Sequence, residues 1–258
     1  MPQSTHKPVV NAIVEVRMGS TRLPGKTMME ILGKPSIALL LERLSLARKI
    51  DRIIVATTTN PEDDVIEQFC RKAGYICFRG DALDVLKRVY EAARLYKTDV
   101  VVEVTGDCTL LDPWLLDECI EKYLEAGVDY LSNFIEQTYP PGIDAQIFSF
   151  KALEESHQCA HDPKYREHVS LYILKHPARF TPLNVRAPAE LHFPDWHLEL
   201  DEAKDYELIK KIYEALYPAD HKFTTKDIIA LLKANPEWIK INSDVKRTWE
   251  QAREEDIA

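Results

Sequence analysis

The sequence predicts an α/β fold on a mostly parallel sheet. Short apolar runs alternate with segments of helical periodicity through the first half of the chain. The runs are β-branched and almost continuously apolar, the pattern of strands covered on both faces. The intervening helical segments, 11 to 15 residues long, suit crossovers between parallel neighbours.

Residues 9–16 (VVNAIVEV) read as the first strand, and residues 17–26 (RMGSTRLPGK) are too rich in Gly, Pro and polar groups to continue it. A helix is predicted over 36–50, a strand over 52–57, a helix over 62–73 stopped by Gly74, and a short strand over 75–78. A helix over 82–96 and a strand over 99–104 (DVVVEV) follow. Asp112 suits an N-cap and Pro113 a first helical position for a helix reaching Ala126. From about Gln137 the pattern changes. A turn at 138–142 (TYPPG), a strand over 143–150, a helix over 164–176 and a strand over 180–185 arrive without crossovers. Residues 137–194 are therefore expected to form an inserted α+β lobe, leaving 9–136 and 195–242 as the core of a single domain. A strand over 197–200, a helix over 202–216, a Thr224-capped helix over 224–234 and a charged tail over 243–258 complete the reading.

The composition is that of a soluble globular protein: 258 residues, 45% hydrophobic and 29% charged. No run of 18 apolar residues and no secretory h-region is present, so no membrane association is expected. The net charge of -9 argues against general nucleic-acid binding. Five cysteines without a CxxC pair fit a reduced cytoplasm better than a disulfide framework or a zinc site. Glycine is scarce, 8 residues, so each one invites a backbone reason; Gly19 and Gly25 both fall in the first loop.

Ligands on such sheets bind beyond the carboxyl ends of the strands, which selects the loops 17–26 and 105–112. The first gathers Arg17, Arg22, Lys26 and the Ser20 hydroxyl around its glycines. Backbone N–H groups near glycine approach phosphates and the cations neutralise them, so the loop is a candidate polyphosphate cradle; a solvated basic turn is the plain alternative. It is not a Walker A loop, because five residues rather than four separate its glycines and one is Pro24. In the second loop Asp107 follows a strand and Gly106, and Asp201 stands between a predicted strand and helix. One aspartate from each could hold Mg²⁺ with phosphate oxygens and water. Either could instead cap a helix. Asp205 is expected on a helix surface.

RMGSTRLPGK, TGDCTLLDP and LDEAKDYELI together resemble the cytidylyltransferase superfamily of CMP-Kdo synthetases and acylneuraminate cytidylyltransferases, especially its SpsF-like branch. RGDALDVLKRVYEAA, YPPGIDAQIFSFKALE, YREHVSLYILKHP and FTTKDIIALLKANPE agree in the same order, and the resemblance spans about 9–242. It implies a Rossmann-like three-layer nucleotidyltransferase fold and a cytoplasmic homodimer. The implied activity is Mg²⁺-dependent transfer of CMP from CTP to a sugar acid or phosphorylated acceptor, in surface polysaccharide or glycoconjugate biosynthesis. Arg17, Ser20, Arg22 and Lys26 match the triphosphate loop, with Glu15, Val16, Met18 and Gly19 beside it and Thr105 and Gly106 completing the nucleotide site. Arg17, Arg22, Lys26 and Asp107 would be the catalytic groups, and Asp107 and Asp201 the Mg²⁺ ligands. Asp84 and Arg88 match a segment lining the acceptor pocket, and Asp144, Gln146, Glu167 and His168 fall in the lobe that completes it.

The chain departs from the family pattern at several points. Glu15 replaces a usually uncharged residue, Thr109 a proline and His197 an arginine, while Glu202 and Ala203 replace the common step after Asp201. A carboxylate at 15 could accept from an exocyclic amine such as cytosine N4 or recognise another group, which leaves the nucleotide as CTP or another NTP. Two other classes fit a nucleotide-binding α/β sheet. A GT-A-type glycosyltransferase needs a DxD-type motif, and here Asp112 stands too far from Asp107. A non-catalytic nucleotide-sugar binder would have no need to keep Asp107, Asp201, Arg22 and Lys26.

Overall fold

The structure is a computed structural model that describes residues 7–245; residues 246–258 of the predicted tail lie outside the described residues. After β1 (Val10–Glu15), the first loop leads to a two-stranded hairpin, β2 (Glu30–Ile31) and β3 (Lys34–Pro35). Three strand–helix steps follow: α1 (Ser36–Leu44) to β4 (Arg52–Thr58), α2 (Asp64–Ala73) to β5 (Ile76–Gly80), and α3 (Val85–Leu95) to β6 (Val100–Thr105). Helix α4 (Pro113–Ala126), β7 (Tyr130–Ser132) and β8 (Gln146–Ser149) come next, then α5 (Phe150–Cys159), α6 (Pro163–Glu167), α7 (Leu171–Lys175) and β9 (Pro182–Asn184). Helices α8 (Ala203–Leu216), α9 (Thr225–Ala234) and α10 (Pro236–Ile239) close the described chain.

Seven strands form one sheet in the order β5-β4-β1-β6-β8-β7-β9. Only β8 runs against the rest. Helices α1, α2 and α4 pack on one face through Leu40, Leu44, Ile66, Leu116 and Ile120. Helices α3, α5 and α7 cover the other through Leu86, Val89, Leu153 and Ile173. The result is the predicted three-layer α/β architecture, with β1, β4 and β6 buried on both sides. A third apolar cluster seats α8 and α9 against Leu39, Leu110 and Ile143. The segment 137–194 gives β8 and β9 to the main sheet and α5–α7 to one of its faces. Among the described residues no helix is long and apolar enough to cross a membrane.

Four local expectations are corrected. Residues 197–200 are extended but form no strand, because their amides bond to loops: Leu198 N–H donates to the Pro141 carbonyl (2.8 Å) and Leu200 N–H to the Asp107 carbonyl (3.0 Å). The helix predicted over 164–176 is broken into α6 and α7 where His168 turns extended (φ -108°, ψ 100°). The first helix stops at Leu44, where the Ser45 hydroxyl bonds back to the Leu41 carbonyl (2.7 Å). Asp205 is fully buried, not on a helix surface: it is the fourth member of a capping box with the N-cap Glu202. The hairpin β2–β3, strand β7 and helix α5 were not predicted.

Gly142, in the TYPPG turn, is required by the approach of residues 198–199. It has φ +96°, and a Cβ there would lie 2.5 Å from the Leu198 carbonyl carbon.

Candidate active site

The first loop is tied into a closed turn. Val16 N–H still bonds to the Ala56 carbonyl (3.3 Å), and the Met18 carbonyl then accepts from both Ser20 and Gly25 N–H (2.9 Å each). Gly25, at φ 77°, starts the 3₁₀ turn Lys26–Met28 in a conformation that favours glycine. Thr27 Oγ1 donates to the Arg17 carbonyl (3.0 Å), and Ser36 Oγ donates to the Lys26 carbonyl (2.6 Å). From outside the loop, the buried Asp63 accepts the Met18 N–H (2.6 Å) and the Thr58 hydroxyl. This positioning residue lies in NPEDD, where an acidic cluster before a helix offers no more than a capping signal. The Ser20 hydroxyl accepts from Leu23 N–H (3.4 Å) and Gly19 is exposed, so the loop presents its polar rim outward.

Lys26 and Arg22 point toward the two aspartates. Gly106 N–H bonds to the Glu15 carbonyl (3.0 Å), carrying the β6 loop alongside the end of β1. Leu200 N–H then binds the Asp107 carbonyl, docking Asp201 beside Asp107. Asp201 does not cap helix α8: Glu202 is the N-cap, and Asp205 Oδ2 accepts from both Asp201 and Glu202 N–H (3.1 and 2.8 Å). The Asp201 carboxylate instead meets Arg22 Nη2 (2.7 Å) and Lys26 Nζ (2.9 Å), while the same Nζ reaches Asp107 Oδ2 at 3.2 Å. Burial acts to lower the Lys26 ammonium, but the two carboxylates outweigh it and raise its pKa. Burial pushes the Asp107 carboxyl up, yet Lys26 and the Thr105 hydroxyl more than offset this and hold it below the usual aspartate range.

Asp107 and Asp201 thus present oxygens within 3.2 Å of a single cationic atom. Two hard carboxylates converging on one point fit Mg²⁺, which takes few protein ligands and completes its shell with phosphate and water. Arg22 Nη1 is buried and meets no acceptor from the protein, as expected of a donor set for an anion.

Beside this cluster lies a cleft of about 260 Å³, lined in part by Arg22, Thr105, Asp107 and Asp201. The predicted acceptor residues Asp144, Gln146, Glu167 and His168 line it, and Glu15 forms part of its floor. Asp84 and Arg88 are placed elsewhere. Asp84 caps α3 through Lys87 N–H (2.8 Å) and is gripped by Arg166 on both oxygens (2.6 and 3.0 Å). Arg88 is buried behind the cleft and donates to the Asp81 carbonyl (2.7 Å). Arg17 lies near enough to Glu15 and Arg88 to act on both electrostatically.

The sequence reading missed Glu103, Phe134, Ser170 and Glu199, which also line the cleft. Glu103 had a visible signal: it is the one charged residue in the apolar run of β6. It lies diagonally from Glu15 across the β1–β6 pair, and its register partner on β8 is Gln146. Burial pushes Glu15 up to about 7 against the pull of Arg88, and burial together with the neighbouring Glu15 pushes Glu103 well up.

With this geometry, comparison with known proteins is informative. The pattern of the family described as Cytidylyltransferase matches residues 11–237. An uncharacterized protein of Methanocaldococcus jannaschii is 34% identical over 238 residues, covering 91% of this chain and 95% of its own. The spore coat polysaccharide biosynthesis protein SpsF of Bacillus subtilis is 33% identical over 230 residues, covering 87% and 94%. The solved structure of a cytidylyltransferase from Leptospira borgpetersenii superposes with a TM-score of 0.85 at 31% identity, over 90% of this chain and 97% of that one. The match runs through loop 17–26, both aspartate loops and the cleft, so the chain belongs to the cytidylyltransferase family and is an enzyme of CTP-dependent nucleotidyl transfer.

Proposed function

We propose that the protein transfers CMP from CTP to an oxygen of a sugar acid or phosphorylated metabolite, with Mg²⁺ held by Asp107 and Asp201, in surface polysaccharide or glycoconjugate synthesis. The observation that carries this reading is the meeting of Arg22 and Lys26 with Asp107 and Asp201 at the carboxyl ends of the strands. The resemblance to SpsF supports the polysaccharide role.

An acceptor oxygen attacks the α-phosphorus in line. The new P–O bond forms as the bond from the α-phosphorus to the α,β-bridging oxygen breaks, and that electron pair leaves with pyrophosphate. A hydroxyl acceptor releases its proton to water. Arg22, Lys26 and Arg17 neutralise the charge that develops on the leaving pyrophosphate. The backbone of the loop sets the phosphate chain's position, so that the acceptor in the cleft meets the α-phosphorus from one side. When bound, Mg²⁺ supplies Lewis-acid neutralisation of the phosphate oxygens.

The reading is tested by pyrophosphate release with Mg²⁺ across CTP, UTP, GTP and ATP, each against sugar acids and phosphorylated metabolites. Release with CTP and one acceptor class, lost in Asp107→Ala, supports it. Consumption of a nucleotide-sugar without pyrophosphate release would instead favour a glycosyltransferase.

A further inference from the structure

The cleft carries more acidic side chains than nucleotide and metal binding require. Apart from Asp107 and Asp201, its lining includes Glu15, Glu103, Asp144, Glu167 and Glu199. Arg22 is the one arginine or lysine among the lining residues, and it is engaged by Asp201. Beyond Arg22 the lining offers a ligand acidic side chains and the His168 imidazole, with Arg17 and Arg88 acting on Glu15 from outside it.

The floor is the most constrained part. In the parallel register of β1 and β6, Ile13 pairs with Glu103 and Glu15 with Thr105. The two glutamates are therefore diagonal neighbours on one sheet face, the face shared by Ile13 and Val101 and covered by α3 and α7. Glu103 is only 5% exposed; its carboxyl shares a hydrogen bond with Glu15, and its Oε2 meets no further donor from the protein. Gln146, the nearest polar neighbour in register, has its side-chain oxygen already accepting from the Tyr130 and Ser170 hydroxyls. Phe134, Val169, Leu171 and Leu174 add apolar wall, which strengthens any charge interaction inside. A buried carboxyl oxygen without a donor is costly. The group that best relieves this pair is an ammonium, with positive charge and three donors.

We infer that Glu15 and Glu103 form a recognition site for a protonated amino group on the acceptor, so that the second substrate is an amine-bearing sugar or alcohol derivative. This rests on the transfer reading above. The same pair could bind the 4-amino group of cytosine, but that amine is neutral and has two donors, whereas an ammonium brings a positive charge and three donors.

The test compares acceptors in matched pairs with the full chain, Mg²⁺ and CTP: glucosamine 1-phosphate against its N-acetyl form, and phosphoethanolamine against its N-acetyl form. The amine members are expected to show kcat/KM at least tenfold higher. Glu103→Gln is expected to raise the KM for the amine at least tenfold, leave the KM for CTP unchanged and shrink the preference. Preference for the N-acetyl members, or a rise in the KM for CTP instead, would overturn the inference. If no acceptor turns over, calorimetric titration of glucosamine into the CTP-loaded protein reads the same pair. Binding weakened tenfold by Glu103→Gln would uphold the site while the transfer reading fails, and no binding would overturn the site itself.

Discussion

Lys26 is the residue on which the site turns, because one ammonium contacts both aspartates while its backbone belongs to the phosphate loop. Lys26→Met keeps most of its length and removes the charge. Turnover is expected to fall about 10²–10³-fold, the usual cost of one donor at a developing oxyanion, with little change in fold measured by circular dichroism. Glu15 offers a second residue-scale prediction. Its folded pKa is raised from 4.5 to about 7, so between those values the native state holds more protons than the unfolded chain. Its stabilising contribution is therefore complete below pH 4.5 and lost as pH rises through 7. Glu15→Gln is expected to remove this slope and gain on the order of a few kcal/mol relative to the parent above pH 7. Chemical denaturation of both proteins from pH 4 to 8 checks the difference.

At the scale of elements, Asp84 joins two helices that face the cleft from behind: it caps α3 and grips Arg166 of α6. Asp84→Ala is expected to cost about 1–3 kcal/mol, from a lost cap and a lost charge-assisted pair, read as a shift in denaturation midpoint at constant slope. This scale also shows what the sequence could and could not reveal. The βαβ core was legible because strands such as VVVEV and helices with clear caps at Asp112 and Thr224 declare themselves locally. Loop 17–26 and Asp107 stood out as candidates for the same reason, since their residues are concentrated in ten or fewer neighbouring positions. Glu103 and Asp63 did not, because each acts through a partner brought near only by folding: Glu15 on the adjacent strand, and the Met18 amide 45 positions away. The break at His168 and the unpaired course of 197–200 escaped for a related reason. Local periodicity favours a helix in the first and a strand in the second, and tertiary hydrogen bonding overrules both.

Across the whole molecule, Arg43 ties the layers together. It is 1% exposed, donates to the Leu111 carbonyl (2.7 Å) and the Phe223 carbonyl (2.9 Å), and stacks on the Phe223 ring. It thereby links α1 to the loop after Asp107 and to the approach of α9. Arg43→Met retains volume but leaves two buried carbonyls without donors, so about 2–5 kcal/mol should be lost. At roughly 2–4 °C per kcal/mol for a chain of this size, the melting temperature should fall by about 5–20 °C. The central claim also belongs to this scale, because the site exists only where the loops after β1 and β6 meet the segment before α8. The most direct measurement follows the fate of label from CTP marked separately at the α- and γ-phosphorus, with Mg²⁺ and an acceptor that releases pyrophosphate. The account predicts α-label in the acceptor product and γ-label in pyrophosphate, with both transfers abolished in Asp107→Ala. Label from the γ-position in the acceptor product, or full transfer in that variant, would contradict it.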